Sequence, residues 1–246
     1  MLKEYVQRKL EKYVRRYFAS HPDVKLVCIT GSVGKTSTKM ALANILAQEY
    51  RIRVHTGNHN TNMSAPLAIL GIPYPRDIRS VSAWRDVFKQ AKRRIKEPAD
   101  VDIVIQELGT DKPGDIECFG TYLKPDITIV TGITPEHMEF FGTLAAVAQE
   151  ELSATDFSDI AIINRDDTPQ EYASMLTNNN IITYGTSSIA EYSFEIESFS
   201  IGKGYTGRLI NPELGNGIRT TLQVVGEHNI RPIIGAIAVA IRFGMS

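Results

Sequence analysis

The sequence predicts an α/β fold, in which a P-loop and a mostly parallel sheet are flanked by helices and a small antiparallel meander lies at one edge. Three observations predict it. An apolar strand over residues 27–30 runs into a glycine-bounded turn and then a helix. Strand and helix patterns alternate from there to about residue 184, which is typical of a parallel sheet. Beyond residue 189 the pattern changes to short alternating segments, which favour antiparallel strands.

The first predicted element is an amphipathic helix over residues 2–19. Its apolar residues recur at helical spacing among Lys, Arg and Glu: Leu2, Tyr5, Val6, Leu10, Tyr13, Val14 and Tyr17. Its basic residues could form a nucleic-acid patch, but a solvated surface face is the commoner meaning of such a pattern and is preferred here. We therefore expect residues 1–24 to form a helix and lead-in, followed by one domain over residues 25–246.

The remaining elements follow in chain order. Strands are predicted over 52–55, 101–107, 126–131, 160–163 and 181–184, and helices to about residue 50 and over 80–97, 113–123, 143–154 and 168–176. The meander is expected over 192–199, 207–211 and 217–225, and a last helix over 229–243.

Length and composition limit the classes of function. The 246 residues are 43% hydrophobic and 22% charged, with a formal net charge of −1, as in an ordinary globular protein. The overall charge favours neither nucleic acid nor membrane, and no apolar run approaches the roughly 18 residues that a membrane span needs. The N-terminus carries charges where a secretory signal would be apolar, so the expected location is the cytoplasm.

The turn after the first strand has the composition of a phosphate-binding loop. Backbone N–H groups and the dipole of the following helix favour anionic oxygens there, Lys35 can reach terminal phosphates, and Thr36 can ligate Mg²⁺. Only the shorter pattern G-x-x-G-K-T is present, because Ile29 stands where the longer pattern has glycine. The sequence therefore predicts ATP and Mg²⁺ at Gly31, Ser32, Val33, Gly34, Lys35, Thr36 and Ser37.

Polar residues follow three of the predicted strands where each strand ends. Glu107 closes an apolar strand, His137 follows the strand that ends at Thr131, and Asn60 follows the strand that ends at His55. Ligands in an open parallel sheet bind beyond the carboxyl ends of the strands. A carboxylate, an imidazole and a threonine hydroxyl near phosphates are suited to one or two Mg²⁺ ions.

This order of motifs resembles the Mur ligase family, whose members add amino acids or dipeptides to peptidoglycan precursors with ATP. The resemblance covers about residues 25–240 and rests on these segments: Thr30-Gly-Ser-Val-Gly-Lys-Thr-Ser37, Gly57-Asn-His-Asn60, Glu107-Leu-Gly109, Lys124-Pro125-Asp126, His137-Met-Glu-Phe-Phe-Gly142, Asn164-Arg-Asp-Asp167 and Gly226-Glu-His-Asn229. It implies that Lys35 holds the β- and γ-phosphates and that Asn60 lies near the γ-phosphate. It also implies that Thr36 and Glu107 hold a first Mg²⁺, His137 a second, and that Asn229 belongs to the nucleotide site.

The resemblance implies an ATP-dependent amide ligase that works through an acyl phosphate. Its segment 137–142 favours the branch that adds D-alanyl-D-alanine to a UDP-N-acetylmuramoyl-peptide. Two alternatives stay open: a ligase acting on another carboxylate, of folylpolyglutamate or lipid-linked wall-precursor type, and a non-catalytic nucleotide-binding module. The UDP-sugar-binding and C-terminal domains that are usual in the family are expected to be absent, so the isolated chain could be inactive.

The sequence departs from the family pattern at three site positions, one of which is Thr61, where the favoured branch often has a second asparagine. Most members have a carbamylated lysine on the helix after the F-G turn, whereas matching from Phe141 and Gly142 puts Glu151 at that position. Glu151 would share an otherwise apolar helix face, and we hypothesise that it supplies directly the negative charge of the carbamate. The alternative is that the second metal site has been lost. Pro232 stands where an asparagine usually contacts adenine, which leaves adenine selectivity open.

Overall fold

The computed structural model describes residues 2–213, 215 and 217–245. Its strands form one sheet in the order β2-β3-β1-β4-β5-β6-β7-β8-β9. The strands are β1 (Lys25–Thr30), β2 (Ile52–Val54), β3 (Ile103–Glu107), β4 (Ile127–Val130), β5 (Ile160–Asn164), β6 (Ile181–Gly185), β7 (Tyr192–Ser200), β8 (Gly204–Ile210) and β9 (Ile218–Leu222). The helices are α1 (Leu2–Ser20), α2 (Lys35–Leu46), α3 (Ala65–Leu70), α4 (Val81–Lys96), α5 (Asp115–Gly120), α6 (Met138–Phe141), α7 (Leu144–Leu152) and α8 (Ile230–Arg242).

The sheet is parallel from β2 to β7 and antiparallel from β7 to β9, which confirms the predicted α/β fold with an antiparallel meander at one edge. Strand β1 lies between β3 and β4, with Ile29 opposite Glu107 in the register. Strands β3 and β4 are buried along their whole length, whereas β9 is exposed or half-buried. This difference is expected because helices cover both faces of a parallel sheet, while an antiparallel edge can face water.

Successive side chains of β1 point to opposite faces of the sheet and enter different cores. Leu26 and Cys28 pack among residues of α1, α3, α4 and α5. Val27 and Ile29 pack among residues of α2 and α8 on the other face. A third cluster, around Val147 of α7, packs on side chains of β4 and β5. The sheet is therefore a middle layer between helices, and the carboxyl ends of its central strands are left open for a site.

Local structure differs from the sequence prediction in three places. The predicted helix over 168–176 is a 3₁₀-helix over Gln170–Met175 that follows Pro169. Helices α3 and α6 were not predicted, since six and four residues are too few to show a helical period. Helix α1 matches its prediction and packs against the same core as β1. Within the described residues, no helix is both long and apolar enough to cross a bilayer.

Candidate functional site

The phosphate loop joins the buried end of β1 to the first turn of α2. Gly31 and Gly34 have φ values of +121° and +87°, a region that favours glycine. A Cβ atom at Gly31 would lie 2.4 Å from Thr131 Oγ1 and 2.9 Å from the backbone N of Gly132. The close approach of the neighbouring strand end therefore requires glycine here, independently of any ligand.

Lys35 begins helix α2 and extends back over this loop. Its Nζ donates a hydrogen bond to the backbone O of Gly31 and lies 3.9 Å from Glu136 Oε2. The exposed side chains of Thr36 and Ser37 occupy the same first turn. Ser32 links the loop to the segment after β4, because its Oγ accepts a hydrogen bond of 3.1 Å from the backbone N–H of Thr134. The structure therefore gathers a lysine, two hydroxyls and backbone donors at one helix start.

A cleft of about 710 Å³ opens beside Lys35, and Asn60 and His137 line it. Asn60 is held against Gly109, whose N–H donates a hydrogen bond of 2.8 Å to the Asn60 backbone O. A Cβ atom at Gly109 would lie 2.7 Å from Asn60 Cγ, so this glycine allows the two chain segments to approach. The cleft therefore brings together three of the four side chains predicted to be catalytic.

His137 sits between two carboxylates at the edge of this cleft. Its backbone has φ +47° and ψ +40°, a left-handed conformation at the start of α6. Its Nε2 lies 3.6 Å from Glu136 Oε1 and 3.7 Å from Asp111 Oδ1. These distances are too long for hydrogen bonds but place two negative groups within ion-pairing range of the imidazole.

Glu107, the fourth predicted catalytic side chain, faces a lysine. Lys39 Nζ lies 3.0 Å from Glu107 Oε1, and both side chains are buried, with exposed fractions of 3% and 5%. The contact lacks hydrogen-bond geometry at Glu107 Oε1, and Lys39 Nζ is also 3.4 Å from the backbone O of Gly57. Lys39 thus neutralises the carboxylate that the resemblance assigns to the first Mg²⁺. A buried charge of this kind needs such a partner.

Glu151 is buried at the phosphate loop, as its position on an apolar helix face predicts. Its Oε2 accepts hydrogen bonds from Thr30 Oγ1 and, at 2.7 Å, from the backbone N–H of Gly31. Its other oxygen, Oε1, has no hydrogen-bond partner among the described residues, and the residue is 1% exposed. Burial raises the pKa of this carboxyl above its usual range, although the nearby Lys35 ammonium acts to lower it.

The predicted nucleotide residue Asn229 lies outside the residues that line the cleft. Its Nδ2 donates a hydrogen bond of 2.7 Å to the backbone O of Val225, and it precedes α8. Pro232 lies in the first turn of α8, where a missing N–H costs no helical hydrogen bond. The neighbouring Arg231 Nε lies 3.1 Å from Asp166 Oδ2, so this end of the sheet has its own charged pair.

Sequence reasoning missed Lys39, Glu136 and Asp111 as members of this site. The sequence held one indication for Lys39, which lies four residues after Lys35 and therefore on the same face of α2. That face of the helix is buried. Glu136 directly precedes His137, but sequence order does not show that its side chain turns toward Lys35. Asp111 reaches His137 only through the fold, because the two are 26 positions apart.

The donor set suits Mg²⁺, although the described residues hold no preassembled metal group of three His, Cys, Asp or Glu side chains. Among the described residues, three buried carboxylate oxygens lack hydrogen-bond partners: Glu107 Oε1, which is ion-paired with Lys39, Glu136 Oε2 and Glu151 Oε1. Magnesium prefers oxygen ligands and keeps several waters, so it needs only one or two carboxylates together with phosphates. We take the chemistry of these oxygens as a fit to the ion.

The fold and the loop define a class of protein, the P-loop α/β domains that bind nucleotide phosphates at the carboxyl edge of a parallel sheet. Comparison with known proteins gives the family: the sequence model of the Mur ligase middle domain matches residues 29–240, and the chain belongs to the Mur ligase family.

Relatives and solved structures agree with this assignment. The chain is 27% identical over 241 residues to the UDP-N-acetylmuramoyl-tripeptide–D-alanyl-D-alanine ligase of Borreliella burgdorferi, covering 96% of this chain and 45% of that protein. A crystal structure of MurF from Acinetobacter baumannii superposes with a TM-score of 0.74 at 20% identity, covering 96% of this chain and 47% of that one. The crystal structure of MurF from Thermotoga maritima in complex with ADP superposes with a TM-score of 0.70 at 19% identity, covering 98% of this chain and 50% of that one. The chain thus spans about half the length of the relatives it matches.

Proposed function

We propose that this chain is the ATP-binding part of an ATP-dependent carboxylate–amine ligase of peptidoglycan precursor synthesis. The observation that carries the proposal is the convergence of Lys35, Asn60 and His137 on one cleft at the carboxyl edge of the sheet. A phosphate loop alone would support nucleotide binding in general. A polar cleft beside its lysine adds room for a second substrate next to the terminal phosphate.

The proposed reaction has two steps. A carboxylate oxygen of the acceptor attacks the γ-phosphorus of ATP, the bond from that phosphorus to the ADP oxygen breaks, and an acyl phosphate and ADP form. The nitrogen of the incoming amine then attacks the acyl carbon, and the tetrahedral intermediate expels phosphate as the amide forms and the amine loses a proton. The protein contributes by positioning the reactants and offsetting their negative charges.

The residues of the cleft, together with Thr36 of α2 and Glu107 of β3, suit these roles. Lys35 Nζ would leave the Gly31 carbonyl for the β- and γ-phosphates, and Asn60 would lie near the γ-phosphate. Thr36, Glu107 and His137 would hold Mg²⁺, which supplies charge neutralisation between triphosphate and carboxylate when it is bound. Because Lys39 pairs with Glu107, this carboxylate would be shared between the ammonium and the ion.

Glu151 is proposed to take the place of a carbamylated lysine. Its Oε2 is held by the phosphate loop, while its buried Oε1 has no hydrogen-bond partner in the part of the chain that the structure describes. This arrangement supports two roles for the Glu151 carboxylate. Oε2 would orient the phosphate loop, and Oε1 would direct negative charge toward the second ion. The reach of the side chain is shorter than that of a carbamate, so a bridging water is part of the hypothesis.

The substrates are proposed by analogy with named relatives. Six of the first curated matches, including that of Borreliella burgdorferi, are named for the addition of D-alanyl-D-alanine to UDP-N-acetylmuramoyl-tripeptide. We therefore propose a UDP-N-acetylmuramoyl-peptide as acceptor and D-alanyl-D-alanine as amine. Its cytoplasmic location stays a prediction from the sequence.

Calorimetric titration of the chain with ATP, with and without Mg²⁺, tests the nucleotide site. We expect Mg²⁺-dependent binding that Lys35→Ala weakens by about 100-fold, since a charge-assisted phosphate contact is lost. Lys203→Ala, at an exposed turn outside the cleft, is the matched control and should bind as the wild type does. Binding that is indifferent to Lys35 would contradict the proposed site.

Phosphate release in the longest form that the gene encodes tests the reaction. We expect release from ATP only when UDP-N-acetylmuramoyl-tripeptide and D-alanyl-D-alanine are both present, with an amide product detected by mass. Release with another carboxylate, such as a folate, would point to the alternative ligase class. Tight Mg²⁺-ATP binding without turnover on any acceptor would favour the non-catalytic module.

A further inference from the structure

Charge is divided unevenly along this chain, although its formal net charge is only −1. Residues 1–97 contain 19 Lys and Arg against 7 Asp and Glu, which gives a formal charge of +12. Residues 98–246 contain 8 Lys and Arg against 21 Asp and Glu, which gives −13. Strong asymmetry of this kind bears on which surfaces a protein associates with.

Much of the positive charge lies on α1 and α4, which pack side by side in parallel. The ring of Phe88 in α4 lies 6.4 Å from that of Tyr5 and 5.9 Å from that of Tyr13 in α1. Just beyond the C-terminal end of α1, His21 Nε2 lies 2.8 Å from the backbone O of Glu97, which follows α4. Because both their middles and their ends meet, the two helices run in the same direction, with their first turns at the same end.

The outward surfaces of these two helices form one basic face. Each helix buries an apolar stripe in the core, and its basic residues recur on the exposed side at spacings of three and four. We define the basic face by seven exposed residues: Arg8, Lys12 and Arg16 of α1, and Arg85, Lys89, Lys92 and Lys96 of α4. Across residues 2–213, 215 and 217–245, none of the seven forms an ion pair with Asp or Glu.

Exposed apolar side chains lie where the two helices begin. Tyr5 in the first turns of α1 is 56% exposed, and Val81 at the start of α4 is 57% exposed. Leu2 and Ile78 are also exposed at these two helix starts. An anionic bilayer attracts cations to its headgroups and accommodates apolar and aromatic side chains at the boundary with the acyl chains. A surface that combines exposed cations with exposed apolar and aromatic side chains is suited to both.

We propose that the basic face of α1 and α4 docks on an anionic phospholipid bilayer. Seven cations without acidic partners among the described residues keep their charge available for lipid phosphates, and long Lys and Arg side chains reach a headgroup layer easily. The apolar side chains at the helix starts favour a bilayer over nucleic acid. They can insert among acyl chains, whereas a phosphate backbone provides no apolar environment for them. The acidic remainder of the chain is repelled by the same membrane, so charge also sets the orientation.

Docking in this way leaves the candidate site open. Lys3 and Gln7 of α1 line the cleft beside Lys35. At 100° per residue they lie on a different side of α1 from Arg8 and Lys12. The bilayer would therefore contact one side of this helix while substrates enter from another, and binding to vesicles should not compete with ATP.

Sedimentation of the chain with lipid vesicles tests the proposal. We expect binding to vesicles of phosphatidylcholine mixed with phosphatidylglycerol, little binding to phosphatidylcholine alone, and loss of binding at high salt. The double variant Lys89→Glu with Lys92→Glu should lower the partition coefficient by about tenfold or more. Both side chains are exposed and have no acidic partner among the described residues, so the variant should fold, and unchanged circular dichroism and ATP binding should show this.

A charge reversal at one residue of the basic face can be compared with the same reversal at an exposed lysine outside it. Lys92→Glu and Lys203→Glu change the net charge equally, but only Lys92 belongs to the basic face. Equal losses of vesicle binding in the two variants would overturn the proposal, as would equal binding of the wild type to neutral vesicles or none to anionic ones. Stronger binding to a short DNA duplex, lost with the Lys89 and Lys92 reversals, would assign the face to nucleic acid instead.

Discussion

Two neighbouring glutamates of α7 serve two different regions of the molecule. Glu150 lies at the N-terminal turn of α5, where its carboxylate accepts hydrogen bonds from Thr110 Oγ1 (3.1 Å), the N–H of Gly114 (2.8 Å) and the N–H of Ile116 (2.7 Å). Glu151 lies at the phosphate loop, where one of its oxygens accepts two hydrogen bonds and the other accepts none from the residues that the structure describes. Both residues are buried, with exposed fractions of 8% and 1%.

The difference separates a structural carboxylate from one suited to function. Consecutive helical residues point about 100° apart, so α7 directs one carboxylate to each region. At α5 both oxygens are used, because the first backbone N–H groups of a helix lack partners within it. At the phosphate loop an unused buried oxygen is costly unless another group binds it. We therefore expect Glu150 to govern stability and Glu151 to govern ligand binding.

The largest expected effect is on stability, from Glu150→Gln. An amide of the same shape has one acceptor oxygen, so its NH₂ group would face either the N–H of Gly114 or that of Ile116. Unpaired buried donors and the loss of charged hydrogen bonds should lower the free energy of unfolding by about 2 kcal/mol. Urea denaturation of the variant and the wild type measures this change in the free energy of unfolding.

Glu151→Gln is the control for this substitution and should change the free energy of unfolding by less than about 1 kcal/mol, since neutralising an incompletely paired buried carboxylate also removes a cost. Equal destabilisation by the two variants would show that both glutamates are structural, and the contrast between the two regions would not hold.

The second expected effect is on Mg²⁺-dependent ATP binding, from Glu151→Gln. Removing the negative charge should weaken ATP binding in the presence of Mg²⁺ by about tenfold, or ~1.4 kcal/mol. Binding measured without Mg²⁺ should change less, because the charge is proposed to act through the ion. Titration calorimetry at fixed ATP and varied Mg²⁺ measures both, and Glu150→Gln should match the wild type. An unchanged Mg²⁺ dependence would contradict the role proposed for Glu151.

Much of the fold and part of the site followed from the sequence. The alternation of strands and helices predicted the parallel sheet, because the spacing of apolar residues in each element can be recognised from neighbouring positions alone. The change of this spacing after residue 189 predicted the antiparallel meander at the edge. The glycines and lysine of the loop predicted the phosphate site, since their spacing is itself the geometry of the turn. The positions of Asn60 and His137 after strand ends predicted them as site residues, and resemblance to the Mur ligase family added their roles; both side chains line the same cleft.

The rest depends on contacts between distant parts of the chain. Lys39 reaches Glu107 only because β3 lies beside β1, and no local pattern shows this. The role of Glu150 has no local sequence signal, since its partners at and before α5 lie 34 to 40 positions away. The basic residues of α1 were interpreted as a solvated face, because the sequence did not show that α4 would lie alongside with more of them.

A third expected effect is on the pH dependence of stability. The pKa of Glu151 is raised by burial above its usual value near 4.5. Between that value and the raised one, the folded protein binds more protons than the unfolded chain, so the free energy of unfolding falls as pH rises. Glu151→Gln lacks this contribution, and its stability relative to the wild type should increase with pH across this window. Urea denaturation of both proteins at several pH values measures it, and a constant difference would contradict the raised pKa.

The smallest expected effect is on the α5 side, from Thr110→Val. The Thr110 hydroxyl donates to Glu150 at 3.1 Å and to the backbone O of Lys112 at 2.9 Å, so one proton is shared between two acceptors. Its loss leaves Glu150 with both backbone donors and should lower the free energy of unfolding by about 0.5–1 kcal/mol, with ATP binding unchanged. Thr30→Val is the matched variant at the phosphate loop, where the hydroxyl donates to Glu151, and there ATP binding should weaken as well. If both variants left ATP binding unchanged, the phosphate loop would not depend on its hydrogen bonds to Glu151, and the two carboxylates would differ in partners but not in role.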